Sequence, residues 1–489
     1  MTTLSRATLL FVLLAMATGA RAETVPPQPK SASEWLAAGD AALKNDNTDI
    51  ALGDYAAAMK SDPGSPQPYL HRARLYLRVY DLDNARHDLD RAAALDPNNA
   101  EIFALRGELD FEAHDLDAAV SDLGQALTRD PGNARLHRLR AEVYMERSDV
   151  DDALIDLDQA VTLDPTSIET RDMRADAHML KGDRTLAMAD YDLAVAQAPQ
   201  SSAPLLARSI GYDQFGEHDR ALADIDKAIA LDPSDQGGYE MRAQHFDHLG
   251  DQDNAIASYS EGIAHIPNDA LLYDFRGQAY ARKGDTAHAF DDFTHAIALE
   301  PKSSVYLEDR ARLYMDQGDT THALADADAA IHNEPQDPDA YNLRAEIYSD
   351  MGDISHALAD DDQALKVIPD DFDALNGRCW LRATHNLDFD AALADCNKAL
   401  SLIPHFPDFL DSRGLVHLRR GEYDAAIADY SEALKREPKM ATSLYGRALS
   451  EQKKGMSKEA QADFASARAA DAGIDERFKS WGLTPEKLG

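Results

Sequence analysis

Two cysteines, Cys379 and Cys396, are the only thiols in this chain of 489 residues. A thiol pair can form a structural disulfide, take part in redox exchange, or remain reduced in a packed core. The two residues lack the close Cys-x-x-Cys spacing that is typical of redox-active pairs, so exchange chemistry is disfavoured. A disulfide and a pair of small buried side chains remain as alternatives.

A second pattern brings together guanidinium and carboxylate groups, which match as a two-pronged fork. The arginines recur at a nearly constant interval of 34 residues: Arg72, Arg106, Arg140, Arg174, Arg208, Arg242, Arg276, Arg310, Arg344, Arg378, Arg413 and Arg447. The aspartates follow the same interval, interrupted only by Ser258: Asp54, Asp88, Asp122, Asp156, Asp190, Asp224, Asp292, Asp326, Asp360, Asp395, Asp429 and Asp463. We interpret this set as a structural ladder rather than a ligand site.

The first aspartate of the ladder indicates how its members pair. Ala38 stands where an arginine would precede Asp54. A pair formed within one repeat would leave Asp54 without a partner, whereas pairing with the following arginine would not. We therefore expect pairs between adjacent repeats, such as Asp54 with Arg72 and Asp88 with Arg106.

No enzyme motif accompanies these patterns. The chain contains no nucleophile elbow, phosphate-binding loop or zinc-protease helix. His245 and His248, beside Asp247 and Asp251, could form only a weak metal site. The sequence therefore predicts a non-enzymatic protein with no catalytic residue, metal or cofactor.

Regularly spaced prolines mark the elements that must position these side chains. They stand 34 residues apart, with one interval of 35: Pro63, Pro97, Pro131, Pro165, Pro199, Pro233, Pro267, Pro301, Pro335, Pro369, Pro404 and Pro438. Such a period indicates a stack of similar supersecondary units. With the proline as position 32, small residues at positions 8, 20 and 27 and large ones at 4, 11 and 24 predict two packed helices per unit.

This unit resembles the tetratricopeptide repeat, which has an aromatic residue at position 4, small residues at 8 and 20, and proline at 32. The resemblance covers residues 32–472, with local departures at His137, Arg171 and Asp361. It implies an all-α protein, a right-handed α-solenoid of about 13 antiparallel helix-turn-helix units. Residues 473–489 would supply a C-terminal capping helix and tail.

The remaining segments and the charge indicate where the protein works. Residues 1–22 have the pattern of a secretory signal peptide, and 23–31 read as a flexible leader. We expect export, to the periplasm or alternatively into the medium, without stable membrane insertion. The net charge of −38 disfavours nucleic-acid binding, because negative charge repels phosphates.

The repeat and the expected export together favour one alternative for the cysteines. Cys379 takes position 8 of the eleventh repeat and Cys396 takes position 24, and these positions face each other across the hairpin. An exported protein enters an oxidising compartment. The sequence therefore predicts a disulfide between them.

The resemblance also implies a concave groove lined by positions 2, 5, 9 and 12 of the first helices. Its apolar candidates form two stretches: Phe111, Met145, Met179, Leu206 and Ile210, then Trp380, Leu415, Leu418, Tyr445 and Leu449. Acidic residues lie between them, which suits a protein or peptide partner with apolar anchors and basic flanks. The alternative is that these apolar residues only pack between adjacent helices.

Two functions follow from this interpretation. The first is a protein-interaction scaffold of the cell envelope that binds protein or peptide segments in its groove. The second is a structural or assembly factor that acts through self-association or its outer face. The oligomeric state does not follow from the sequence.

Overall fold

The computed structural model describes residues 31–485, which contain 27 helices and no strand. The predicted signal peptide and residues 23–30 of the predicted leader lie outside the described residues, as do residues 486–489. Ser31, assigned above to the leader, instead caps the first helix, because its hydroxyl accepts a hydrogen bond from the Glu34 N–H. The contacts divide the chain into two halves, one ending at Leu231 and the other beginning at Asp232.

The N-terminal half contains six helical hairpins, each formed by two consecutive helices. Their helices are α1 (Ala32–Leu43), α2 (Thr48–Ser61), α3 (Gln67–Arg78), α4 (Leu82–Leu95), α5 (Ala100–Glu112), α6 (Leu116–Arg129), α7 (Ala134–Glu146), α8 (Val150–Leu163), α9 (Ile168–Lys181), α10 (Arg184–Gln197), α11 (Ala203–Gln214) and α12 (His218–Leu231). Within this half each hairpin packs on the next.

The C-terminal half contains seven hairpins and a short last helix. Its helices are α13 (Gln236–His248), α14 (Gln252–His265), α15 (Ala270–Lys283), α16 (Thr286–Leu299), α17 (Ser304–Asp316), α18 (Thr320–Asn333), α19 (Pro338–Asp350), α20 (Ile354–Val367), α21 (Phe372–Thr384), α22 (Phe389–Leu402), α23 (Pro407–Arg420), α24 (Tyr423–Arg436), α25 (Ala441–Lys453), α26 (Ser457–Ala470) and α27 (Ile474–Ser480). The all-helical repeat fold that the sequence predicts is confirmed.

Local sequence signals end one helix and begin the next within each hairpin. Gly182 ends α9 in the left-handed conformation, with φ of 76°, which glycine adopts without a steric cost. Asp81 and Asp285 begin second helices, because their carboxylates accept hydrogen bonds from backbone N–H groups in the first turn. These signals account for the short turns that fold each helix pair back on itself.

Small residues at position 8 let the two helices of a hairpin approach closely. A Cβ atom at Gly39 would stand only 2.5 Å from a ring carbon of Tyr55, the residue at position 24 of the same repeat. Gly277 and Phe293 make the same contact, where the Cβ would come within 2.9 Å. The core is thus a row of small clusters between adjacent helices rather than one central cluster.

In several repeats the side chain at position 4 forms a hydrogen bond with the turn that precedes the repeat. The Tyr239 hydroxyl donates to the carbonyl of Pro233 at 3.1 Å. Arg171 lacks the aromatic ring but donates to the carbonyl of Pro165 at 2.9 Å. This departure from the aromatic pattern therefore keeps the same tie to the backbone.

The last helix covers the open face of the final hairpin. Ile474 and Phe478 of α27 are buried against α25 and α26, and Phe478 packs on Tyr445 with ring centres 4.5 Å apart. Terminal repeats need such a cover, because no further repeat buries their apolar face. None of the helices within residues 31–485 is long and apolar enough to cross a membrane.

Candidate functional site

The arginine and aspartate ladder forms within repeats and not between them. Arg310 on α17 donates from Nε and Nη2 to the two carboxylate oxygens of Asp326 on α18, at 2.7 and 2.8 Å. The same fork joins the following pairs: Arg72–Asp88, Arg106–Asp122, Arg140–Asp156, Arg174–Asp190, Arg208–Asp224, Arg276–Asp292, Arg344–Asp360, Arg378–Asp395, Arg413–Asp429 and Arg447–Asp463.

The predicted pairing of Asp54 with Arg72 and of Asp88 with Arg106 is therefore wrong. The second helix of a hairpin runs back along the first, which places position 23 beside position 7 of the same repeat. Arg72 accordingly binds Asp88. Asp54 stands in the repeat that has no arginine, and burial raises its pKa.

A link between repeats does exist, but it uses a different residue. Arg344 reaches back with Nη1 to Asp328 at 2.6 Å, and Arg378 reaches back to Asp362 at 2.6 Å. These acceptors lie at position 25 of the preceding repeat. In both arginines, Nε and Nη2 bind an aspartate of the same hairpin, and Nη1 binds an aspartate of the preceding hairpin.

Two repeats with an altered sequence keep the contact between positions 7 and 23. Arg242 donates from Nε to the hydroxyl of Ser258, which stands where other repeats have aspartate, at 3.2 Å. In the eleventh repeat the extra residue lies in the turn between α21 and α22, and Arg378 still reaches Asp395. The ladder therefore has a structural role in the described chain.

Cys379 on α21 and Cys396 on α22 are joined by a disulfide, with Cα atoms 5.7 Å apart. Both residues are fully buried. They occupy positions 8 and 24, where other hairpins place a small residue against a large one. The disulfide therefore replaces an apolar contact inside one hairpin.

The first predicted apolar stretch is divided among separate packing clusters. Phe111 packs near Leu123, Met145 packs in the next hairpin's cluster, and Met179 packs near Tyr191. Leu206 is half-buried, and Ile210 is the exposed member, at 48%. These side chains therefore mainly fill gaps between neighbouring helices.

The second predicted stretch is largely buried, which corrects its assignment to an open groove. The side chains of Leu415, Leu418, Tyr445 and Leu449 are each at most 2% exposed. They lie in one cluster with the buried residues of α26 and α27. The physical reason is that α23 packs between the first helices α21 and α25, while Phe478 of α27 covers Tyr445.

Trp380 is the member of the second stretch that borders open space. It lines a cavity of about 530 Å³ between α17, α19, α20 and α21. We call this cavity the acid pocket. Its lining is Arg312, Asp339, Asn342, Leu343, Ala345, Glu346, Ser349, Asp350, Asp361, Asp373, Asn376, Gly377, Trp380 and Leu381.

Asp361 is the buried acid of this pocket. Its side chain stands at position 24, which holds an apolar residue in the other twelve repeats, and it is 3% exposed. Its Oδ2 atom has no hydrogen-bond partner. Burial raises the pKa of Asp361 to about 8, although Arg378 opposes the shift.

The rest of the pocket is acidic and open to solvent. Asp339 and Asp373 face the opening, and their pKa values are raised by partial burial and then by neighbouring carboxylates. Arg312 lowers the pKa of both groups, but it is one cation among several acids. The pocket is therefore suited to attract positive charge.

Carboxyl pairs extend this acidic face along the first helices beside the pocket. Gln278 Nε2 donates to Asp274 at 2.9 Å and to Asp309 at 2.8 Å. Burial, followed by the charge of Asp309, raises the pKa of Asp274 to about 8. Burial and Asp337 likewise raise the pKa of Glu308 to about 7.

Two residues in the sequence depart from the repeat pattern where the pocket lies, and neither has an apolar side chain. Asp361 is visible as a charged residue at a core position, and Gly377 as a missing side chain at position 6 of the next repeat. Their contact in space is a property of the stacked hairpins. Only the tertiary structure shows that both departures border one cavity.

Comparison with known proteins agrees with the repeat pattern. Two family models described as tetratricopeptide repeat match the chain. One matches residues 36–100, 104–168, 206–270, 308–350 and 412–473, and the other matches residues 270–303 and 338–371. No curated protein matches. The chain belongs to the tetratricopeptide repeat family.

Solved structures of similar proteins include three that differ in size. One chain in the crystal structure of the APC/C hetero-tetramer Cut9–Hcn1 is 15% identical, with 98% of this chain and 99% of that chain covered and a TM-score of 0.44. Yeast Tom70 is 18% identical, with 91% and 97% covered and a TM-score of 0.44. A tetratricopeptide repeat protein from Parabacteroides merdae is 22% identical, with 50% and 98% covered and a TM-score of 0.41.

Proposed function

We propose that this protein is an exported scaffold of the cell envelope that binds basic, partly apolar segments of partner proteins on the face of its first helices. Membership of the tetratricopeptide repeat family supports a general role in protein–protein interaction. The signal-peptide pattern that the sequence predicts in residues 1–22 supports the envelope location. The family is typically non-catalytic, which agrees with a binding role.

The acid pocket is the observation that carries this proposal. It is a concave site at positions 2, 5 and 9 of the first helices, and acidic side chains surround the indole of Trp380. A concave site with an aromatic wall and converging polar groups is the usual form of a binding site. Its negative charge favours a partner with basic residues and speeds their encounter.

Site-specific photo-crosslinking in cells tests this function. A photoreactive residue at Ser349, which lines the acid pocket, is expected to trap a partner protein from the envelope fraction. The same residue at the exposed Ser355, at the start of the second helix of that hairpin, is the matched control and is expected to trap far less. Equal trapping at both positions would count against binding on the first-helix face.

Localisation is tested separately from binding. Fractionation of cells that produce the full-length chain is expected to release the protein with the periplasmic contents. A form without residues 1–22 is expected to remain in the cytoplasm. Retention of the full-length chain in the cytoplasm would contradict the envelope assignment and leave the pocket to be tested by itself.

A further inference from the structure

We propose that the acid pocket receives one arginine or lysine side chain of a bound protein segment, with Asp361 as the ion-pair partner of its cationic group. This inference rests on the proposed scaffold function and identifies the residue class that the site recognises. It adds to that function the recognition of one basic residue of the partner by the carboxyl group of Asp361.

The unused hydrogen-bonding capacity of Asp361 is the first argument. A buried carboxyl group without a partner is costly, because burial removes its hydration and nothing replaces it. The two nearest arginines are already engaged, since Arg378 binds Asp395 and Asp362 while Arg382 binds Asp395. Asp361 Oδ2 is therefore free to accept a hydrogen bond from a ligand that enters the pocket.

The departure from the repeat pattern is the second argument. Position 24 of a repeat contacts position 6 of the next repeat, as Tyr259 does with Phe275, whose ring centre is 5.9 Å away. At the pocket these two positions are Asp361 and Gly377, and a Cβ at Gly377 would stand 3.1 Å from Asp361 Oδ1. Asp361 places a carboxyl group where other repeats pack an apolar residue, and Gly377 leaves space beside that carboxyl group.

The remaining walls suit a long cationic side chain. Asn342 and Asn376 each present a buried side-chain oxygen without a hydrogen-bond partner. The Trp380 ring is held edge-on against Trp481, with ring centres 5.1 Å apart, and offers an aromatic surface for an alkyl stem or a guanidinium group. Arg312 also lines the pocket, and its positive charge disfavours a ligand that carries more than one positive charge.

Binding of the cation requires the Asp361 carboxyl to lose its proton. The charged groups around it are Asp360 and Asp362 on its own helix, Asp339, Glu346 and Asp350 on α19, Arg312 on α17, and Asp373, Arg378 and Arg382 on α21. Since burial raises the pKa of Asp361 to about 8, the carboxyl is mostly protonated at pH 6. Affinity should therefore rise by about tenfold per pH unit between pH 6 and 8 and then level off.

Fluorine NMR of the full chain labelled with 5-fluorotryptophan gives a local readout, because the chain contains three tryptophans. The probes are acetyl-Gly-Leu-Arg-Leu-Gly-amide and the same peptide with lysine or citrulline in place of arginine. The variant Trp380→Phe identifies the Trp380 resonance. We expect the arginine and lysine peptides to move this resonance at pH 8, and the uncharged citrulline peptide to leave it unchanged.

Three substitutions test the assignment to Asp361. Asp361→Asn is expected to weaken binding of the arginine peptide by at least about tenfold at pH 8 and to remove most of the pH dependence. The matched control Asp362→Asn removes the same charge one residue away and is expected to change affinity by less than about twofold. Gly377→Leu, which fills the space beside Asp361, is expected to block binding.

A fourth variant separates binding from folding. Asp361→Leu restores the apolar residue of the repeat and is expected to raise the unfolding midpoint while binding is lost. Equal affinity of wild type and Asp361→Asn would overturn the pocket assignment, and so would a resonance shift with the citrulline peptide. Tighter binding of Ca²⁺ or spermidine than of the arginine peptide would also overturn it, in favour of a free cation.

The outcomes of the two proposals can be told apart. The photoreactive residue at Ser349 can be tested in the wild-type chain and in Asp361→Asn. If both trap the same partner equally well in cells, the scaffold function stands and the side-chain pocket does not. If the arginine peptide moves the Trp380 resonance but Ser349 traps nothing, the pocket binds cations and the scaffold function is contradicted.

Discussion

At the scale of single residues, guanidinium and carboxylate groups join the two helices in every described hairpin except the first and the seventh. In the Arg310–Asp326 pair, two nitrogens of the arginine meet both oxygens of a carboxylate that is largely buried. Two parallel hydrogen bonds fix the orientation of the helices as well as their distance. The cost of removing one partner comes mainly from the buried charge that stays behind.

A double-mutant cycle on this pair tests that account. Arg310→Met is expected to lower the free energy of unfolding by about 2–4 kcal/mol, because Asp326 is left buried and unpaired. Asp326→Leu combined with Arg310→Met should restore much of the loss, since no unpaired charge remains. Urea unfolding of Arg310→Met, Asp326→Leu and the double variant measures both effects, and strict additivity would show that the two side chains do not interact.

Buried carboxyl groups also make stability depend on pH. In the folded protein the pKa of Asp274 is about 8, whereas an aspartate in an unfolded chain titrates near 3.9. Between these values the folded state binds the proton and the unfolded state does not, so stability falls as pH rises.

The variant Asp274→Asn should remove this dependence. Its stability relative to wild type is expected to be greater at pH 8 than at pH 5, as measured by urea unfolding at both values. Asp291→Asn removes an exposed charge from the next helix and should show no comparable change between the two pH values. A constant difference between Asp274→Asn and wild type across this range would show that Asp274 titrates normally.

At the scale of the helical hairpin, the contact between positions 8 and 24 recurs, but the chemical groups that make it differ. A small residue at position 8 lies against position 24, as Gly414 does against Tyr430, and the eleventh hairpin replaces this contact with the Cys379–Cys396 disulfide. The tenth hairpin instead places Asp361 at position 24 and opens a cavity. The helical frame therefore accepts an apolar contact, a covalent bond or a cavity at the same place.

Reduction of the disulfide should loosen the eleventh hairpin. In the chain-entropy model, a bond that closes a loop of this length contributes about 3 kcal/mol. Hydrogen exchange of peptides from α21 and α22 should speed up when the reductant is added. Cys379→Ala with Cys396→Leu, which restores the small and large pair of other hairpins, is the control and should not respond to reductant. Unchanged exchange in reduced wild type would contradict a stabilising role.

Neighbour contacts stabilise the whole molecule, so local departures from the pattern stay local. Arg171 replaces an aromatic residue, and the eleventh repeat contains an extra residue, yet the hairpins on either side keep their forks. A repeat fold permits this because each hairpin mainly contacts its neighbours. Function can therefore be added at one repeat without rebuilding the others.

Much of the fold could be predicted from the sequence, and less of the site. Prolines such as Pro301 and glycines such as Gly182 act through local backbone geometry, which is encoded within a few residues. The partner of Arg72 was predicted wrongly, because side-chain pairing depends on how the second helix returns along the first. The prediction of Leu415 and Tyr445 as groove residues is wrong, because their burial depends on how closely neighbouring first helices pack.

The sequence by itself determined the number, type and boundaries of the repeats, because backbone conformation and apolar periodicity are local properties that recur with the period. Only the tertiary structure decided which charges meet, which apolar faces are covered, and that Asp361 and Gly377 border one cavity. The physical reason is that burial and pairing depend on neighbours from different helices. Those neighbours are defined only once the hairpins have stacked.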